Sequence, residues 1–222
     1  VAVESSSVLS REVVEQIVRE VVWKKLRGAD RQATKLTVHA SARHMHLSRE
    51  DLDVLYGPGY ELTLDRPLFQ EGNFAAQETV TLVGPRSRLI SNLRILGPLR
   101  KESQVELAFT DAISLGIDAP IRLSGNIEGT PGCFIMGPKG VVELKRGVIR
   151  AAIHVHMNPE EAAHFGVREG DLMNLRIGGD AGVTFNRVHV RIDAKARLNV
   201  HMDTDEANGC GLHLAKELEL FK

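Results

Sequence analysis

The 222 residues are 43% apolar and 26% charged, the composition of a globular chain able to bury the core of one large domain or two small ones. With 28 Lys and Arg against 29 Asp and Glu, the net charge of -1 gives no field to gather a polyanion, which excludes nucleic acid as an expected partner. Two cysteines, Cys133 and Cys210, are too few for a disulfide framework, and no apolar run approaches the ~20 residues of a membrane span, so a reducing cytoplasmic setting is expected and membrane insertion is not. The opening VAVES also lacks the basic start and apolar centre of a secretory signal, and export is not expected.

Residues 10–28 predict an amphipathic helix: Val14, Ile17, Val18, Val21 and Val22 recur on a helical period. Ser10 caps it, Glu12 and Glu15 suit its positive end, Lys24, Lys25 and Arg27 its negative end, and Gly28 stops it. The polar stretch 29–35 reads as a linker, so residues 1–35 are expected to form a separable arm. Short β-type runs follow at 36–42 (LTVHASA), 78–84 (ETVTLVG), 104–109 (QVELAF), 147–156 (GVIRAAIHVH) and 188–194 (VHVRIDA), divided by Gly, Pro, Asn and Asp turns. Many short strands predict a mainly β fold of the barrel or sandwich kind. Two short helices interrupt them, one capped by Ser48 and stopped at Gly57-Pro58, the other capped by Asn158 with Pro159 first and stopped at Gly166.

Those two helices belong to an internal repeat. ASARHMHLSREDLDVL (40–55) aligns without a gap on RAAIHVHMNPEEAAHF (150–165), so that His44 meets His154, His46 meets His156 and Ser48 meets Asn158. QVELAFTDA (104–112) aligns on NVHMDTDEA (199–207), which sets Glu106 opposite His201. Two similar halves are expected, 36–147 and 148–222, with strands open to exchange between them.

In a strand, residues i and i+2 share a face, so each His-x-His presents two imidazoles side by side. A single such pair is weak evidence for a metal, but two at equivalent repeat positions are not. Adding the aligned third residue gives His44, His46 and Glu106 in one half and His154, His156 and His201 in the other. Three protein ligands with one open position is the arrangement of catalytic zinc, and imidazole with a single carboxylate argues against calcium or magnesium. Iron, manganese and cobalt stay open. His39, His164, His189 and His213 are expected to be ordinary surface or core histidines. Residues 84–106 carry Arg86, Arg88, Arg94, Arg100 and Lys101; such a run is usually a solvated face, yet an arginine six residues before a metal ligand is placed to orient a phosphate.

SARHMHLS, GPLRKESQVEL, GVIRAAIHVHMNPEEA and HMDTDEANGC resemble the motifs of the PduL-type phosphate propanoyltransferases, the phosphotransacylases of bacterial microcompartments, and the similar stretches span 36–211. The resemblance implies two similar β-barrels with short capping helices and two zinc ions per chain on the ligands above. It implies phosphate bound by Arg100 as the catalytic side chain, and coenzyme A contacted by Ala40, Ser41, Ala42, Arg86, Arg94 and Asn208. The implied reaction moves a propanoyl or acetyl group between coenzyme A and phosphate by zinc-assisted direct attack. The first helix would dock on microcompartment shell or cargo proteins, which places a homo-oligomer in the microcompartment lumen, or else pack on the barrels of its own chain or a twin. Ile153 stands where an arginine would match Arg43, so no basic residue is expected to serve the second half there. Two other readings compete: a zinc hydrolase using the same open position, and a non-catalytic assembly protein held by zinc, which would need closed four-ligand sites. Neither cysteine has a histidine beside it in sequence and no GxSxG elbow occurs, which argues against an acyl-enzyme.

Overall fold

Alternation of apolar and polar residues makes strands the main regular structure of the described chain. A computed structural model describes residues 14, 15, 18 and 35–222. Positions 14, 15 and 18 are helical; the rest of the predicted helix over 10–28 lies outside the described residues. No helix among the described residues is long and apolar enough to cross a membrane.

The strands are β1 (Thr37–Ser41), β2 (His44–His46), β3 (Leu64–Pro67), β4 (Phe74–Val83), β5 (Leu89–Gly97), β6 (Gln104–Glu106), β7 (Ile121–Arg122), β8 (Cys133–Met136), β9 (Val141–Leu144), β10 (Val148–Ala151), β11 (His154–Met157), β12 (Leu172–Gly178), β13 (Val183–Ile192), β14 (Asn199–Asp203) and β15 (Glu217–Phe221). Four short helices intervene: α1 (Arg49–Tyr56), α2 (Phe109–Leu115), α3 (Pro159–Phe165) and α4 (Thr204–Gly209). The strands form two curled sheets, β7-β10-β6-β2-β5-β4-β8-β9 with β3 beside β4, and β1-β14-β11-β13-β12-β15. Each is an open path, a half-barrel rather than a closed one. Each has its own apolar core, one around Met45, Leu82, Ile95 and Ile135, the other around Val155, Met157, Leu175 and Val200.

The repeat read from sequence is a repeat of topology. In the first sheet β2 runs antiparallel to β6 and parallel to β5, which pairs antiparallel with β4. In the second, β11 runs antiparallel to β14 and parallel to β13, which pairs antiparallel with β12. The strand leading into each His-x-His crosses over: β1 pairs parallel with β14 in the second sheet, and β10 pairs parallel with β6 in the first. The run 147–156, read from sequence as one strand, is therefore two strands in different sheets, broken where the chain passes between them at Ala152-Ile153. Residue Phe109 opens α2 rather than ending a strand.

Helix caps fix the exits from the His-x-His strands. The Ser48 hydroxyl accepts from the Asp51 amide at 3.2 Å, with Glu50 and Asp51 in the first turn of α1. Asn158 and Glu161 form a reciprocal capping box on α3, and Asp203 and Glu206 form the equivalent box on α4. Thr110 and Asp205, aligned in the repeat, meet at the seam: the Thr110 amide and hydroxyl donate to the two Asp205 carboxylate oxygens at 2.8 and 2.9 Å.

Met45 is fully buried in the first core between two buried histidines that face the other side of the sheet, so its side chain anchors the strand that carries them. Met45→Ala is expected to destabilise the fold by about 2–5 kcal/mol, as truncating a buried Met does, read from the midpoint of denaturant unfolding. An unchanged midpoint would show that β2 does not depend on that contact.

Candidate metal and anion site

His44 lies directly opposite Glu106, and His46 opposite Gln104, across the antiparallel β2–β6 pair. Met45 points into the core, so period-two alternation turns both imidazoles to the other face beside the Glu106 carboxylate. His44 Nδ1 sits 2.9 Å from the Ala42 carbonyl and His46 Nδ1 3.2 Å from the Leu96 carbonyl. A carbonyl only accepts, so each Nδ1 donates to it and each Nε2 is the ring nitrogen left to face the site. Those Nε2 atoms are 3.5 Å and 3.9 Å from the Glu106 Oε2 and Oε1 atoms. Among the described residues, this is the group of three whose donor atoms all lie within 4.8 Å of one another. Glu106 Oε1 also accepts from the Gln104 amide at 2.6 Å and the Ser124 hydroxyl at 2.7 Å, which leaves Oε2 facing the histidines. Burial favours the neutral carboxyl, but His44, His46, the Ser124 hydroxyl and Arg100 outweigh it and hold the Glu106 pKa at about 2. Burial, with His44 and Arg100 nearby, pushes His46 down to about 3. At neutral pH the trio thus holds a carboxylate and, at His46, an imidazole with no proton to lose before taking a metal.

The second sheet repeats the arrangement with an imidazole in place of the carboxylate. His154 is directly opposite His201 on β14, and Val155 between the two β11 histidines is fully buried. His154 Nδ1 is 2.8 Å from the Ala152 carbonyl, matching His44 on Ala42, and His201 Nδ1 is 3.2 Å from the Ser41 hydroxyl. The three ring centroids lie 4.9, 5.3 and 5.3 Å apart, with His154 and His201 stacked at 7°. Burial, reinforced by the neighbouring histidines, lowers His201 to about 3; burial with His154 and Arg191 lowers His156 to about 4, and His154 is lowered as well. The His201 Nε2 atom is buried with no hydrogen-bond partner. A buried ring nitrogen left unpaired among uncharged imidazoles is costly as it stands, and is satisfied by a cation of the kind imidazole ligates. The His44, His46 and Glu106 donors lie close enough to share one ion of the kind imidazole ligates.

The two sets open on one pocket of about 800 Å³, lined also by Ala40, Ser41, Ala42, Arg94 and Arg100. Arg100 is fixed by its amide donating to the Leu47 carbonyl at 2.8 Å and by Nη1 donating to the Ser124 hydroxyl at 2.8 Å. Ser124 thereby links the arginine to the Glu106 carboxylate. Arg94 stands opposite His44, with Nη1 donating to the Ala76 and Gln77 carbonyls at 2.8 and 3.0 Å. Arg86 and Asn208 are not part of this pocket lining: Arg86 lies along Gly116, and Asn208 is exposed on α4. Sequence reasoning did not single out Gln104, Ser124 or Arg191, and set His39 and His189 aside. Cross-strand register places His39 beside His201 and His189 beside His154, giving a row His39, His201, His154, His189 across four strands, with His39 on the pocket wall. Only the pairing of distant strands reveals that row.

A duplicated β-sheet scaffold brings both His-x-His strands and the side chains of Arg94 and Arg100 onto one pocket, a class of site that combines a candidate metal-binding trio with cationic groups. A family model described as phosphate propanoyltransferase matches residues 37–213. The chain is 48% identical to the phosphate propanoyltransferase of Planctopirus limnophila, covering 96% of this chain and 92% of that one. It is 47% identical to that of Thermotoga maritima over 82% and 87% of the two chains, and 43% identical to that of Salmonella typhimurium over 91% and 93%. The chain belongs to the phosphate propanoyltransferase family, as its motifs implied.

Elemental analysis of purified protein is expected to find close to two zinc ions per chain. His44→Ala and His154→Ala should each lose about one of them, because a site cut to two ligands binds weakly. Full metal content in both variants would contradict these ligand sets.

Proposed function

We propose that this phosphate acyltransferase exchanges a short acyl group, propanoyl or acetyl, between coenzyme A and inorganic phosphate: acyl-CoA + phosphate = acyl phosphate + CoA. The observation that carries the reading is the sharing of one pocket by both donor sets and Arg100, in a chain of this family. A phosphate oxygen attacks the thioester carbonyl carbon, the C–O bond forms, the C–S bond breaks, and sulfur leaves as thiolate. His44, His46 and Glu106, and His154, His156 and His201, would hold zinc, which when bound would supply Lewis-acid stabilisation for the carbonyl oxygen and for the thiolate of a thiol whose free pKa is about 8.5.

Arg100 holds the phosphate by paired guanidinium donors, and its bond to Ser124 fixes the guanidinium against rotation. Ala40, Ser41 and Ala42 give a low wall along which the thioester end of coenzyme A lies, with Arg94 beside it. Direct attack agrees with the state of both cysteines. Cys133 is buried in the first core with its pKa pushed up to about 12 by burial, and Cys210 is buried in the second, its Sγ directed to the Ala207 carbonyl at 3.4 Å. Neither supplies a thiolate nucleophile at neutral pH.

The test is thiol release from propanoyl-CoA and acetyl-CoA, with and without phosphate, on chelated and zinc-restored protein. Release that requires phosphate and zinc is expected; release without phosphate would make the protein a hydrolase. Arg100→Ala is expected to lower turnover about 100-fold or more, with Arg100→Lys recovering part of it, as loss of a bidentate phosphate partner misplaces the nucleophile. Normal turnover of Arg100→Ala at low phosphate would remove Arg100 from the reaction.

Residues 1–35 we assign to docking on shell or cargo proteins of a bacterial microcompartment, on the strength of the amphipathic stripe over 10–28 and the polar linker after it. A helix of this length is marginal in water and needs a partner surface. Removing residues 1–33 is expected to leave specific activity nearly intact while abolishing co-localisation with shell proteins and changing oligomer size. Loss of zinc or of the fold on truncation would instead make the arm part of the catalytic unit.

A further inference from the structure

We propose that Arg191 is a second phosphate-binding residue, completing with Arg100 a two-guanidinium clamp whose halves come from the two sheets. The proposal rests on the transferase reading above and adds to it a residue that neither the repeat nor the sequence motifs pointed to.

Arg191 is the register partner of His156 across the parallel β11–β13 pair. Val188 and Val190 are buried in the second core, so alternation along β13 turns His189 and Arg191 to the opposite face, where Arg191 lines the pocket. The guanidinium is half-buried, and among the described residues it forms no hydrogen bond and no ion pair. The carboxylates around the pocket are engaged elsewhere. Glu106 accepts from Gln104 and Ser124, Glu169 from the Ile192 amide, Asp193 from the Lys195 amide, and Glu71 pairs with the Lys195 ammonium at 3.7 Å.

Arg191 also stands within electrostatic reach of Arg100, whose pKa is lowered by burial and by this second cation, although Glu106 works against that. It exerts the same effect on His154 and His156. Two half-buried guanidinium groups that repel each other, neither paired with a carboxylate, form an arrangement that an incoming anion relieves. A tetrahedral dianion has enough oxygens to engage both at once.

The repeat supplies an internal control. Arg94 faces His44 as His189 faces His154, so two residues further along the strand Leu96 occupies in the first sheet the place Arg191 holds in the second. The same scaffold position folds with an apolar side chain, so the fold itself does not require the cation. Arg191 adds to the asymmetry that Glu106 against His201 already gives the pocket, with Arg100 and Arg191 on the phosphate side and Ala40 to Ala42 lining the thioester side.

The experiment compares wild-type, Arg191→Ala and Arg191→Lys proteins, all zinc-replete, by calorimetric titration with inorganic phosphate and separately with coenzyme A, alongside steady-state kinetics. Arg191→Ala is expected to raise the phosphate Kd and KM about 10- to 100-fold and to leave coenzyme A binding within about 3-fold, with lysine recovering part of the loss. A folded Arg191→Ala protein with wild-type zinc content and unchanged phosphate Kd overturns the proposal. So does a loss that falls on coenzyme A instead of phosphate, or a wild-type protein that binds no phosphate. If the wild type binds phosphate but transfers no acyl group to it, the proposed reaction fails while the calorimetric comparison still decides the role of Arg191.

Discussion

Directly opposed residues of an antiparallel strand pair hold their side chains about 5 Å apart, and the whole site depends on that spacing being kept at two places, His44 with Glu106 and His154 with His201. A slip of one residue at either pair would turn the imidazoles into the core and bring Met45 or Val155 out of it. The buried residue between each pair of histidines therefore sets the register, and the register sets the donor geometry. The crossing of the chain between sheets adds a second constraint, because the carbonyls of Ala42 and Ala152, just after the crossing strands, receive Nδ1 of His44 and His154 and fix both tautomers.

Charge follows from where these groups sit. His46 and, in the second sheet, His156 and His201 are driven towards the neutral form by burial, while Glu106 stays ionised among them. The pocket thus sets an ionised carboxylate and neutral imidazoles at His46, His156 and His201 beside the cationic side chains of Arg94, Arg100 and Arg191. Replacing a carboxylate by an imidazole between the two halves, Glu106 against His201, leaves one donor set carrying a negative charge and the other none. Two cations bound in equivalent scaffolds would therefore differ in net charge, and the less neutralised one is the stronger centre for an anion.

Much of this was legible in the sequence because it is local or repeated. The Ser48 and Asn158 caps, both His-x-His pairs and the alignment of Glu106 with His201 all survive as single-residue signals, and the structure sets them in equivalent places. What stayed hidden depends on distant pairing. Nothing near Ser124 announces that its hydroxyl joins Arg100 to Glu106, and Arg191 reads as one polar position in an alternating strand until β13 is seen beside β11. His39 looked isolated because its neighbour, His201, lies on a strand from the far end of the chain. The run 147–156 has no turn residue at Ala152-Ile153, so the change of sheet there left no mark.

The reciprocal crossing of β1 and β10 has a consequence for how the chain comes into being. Thr37 meets Asn199 across a separation of 162 residues, whereas β10 finds β6 within a much shorter loop. During synthesis the first sheet can close around β10 while β1, made long before, has no partner until the last strands leave the ribosome. For that interval the earliest strand is a bare edge able to pair with a neighbouring nascent chain, and its exposed Ala40 and His39 give it little charge to discourage this. The pairing of β1 with β14 also seats Ser41 on His201, so this wall of the pocket is complete only once those two distant strands have met.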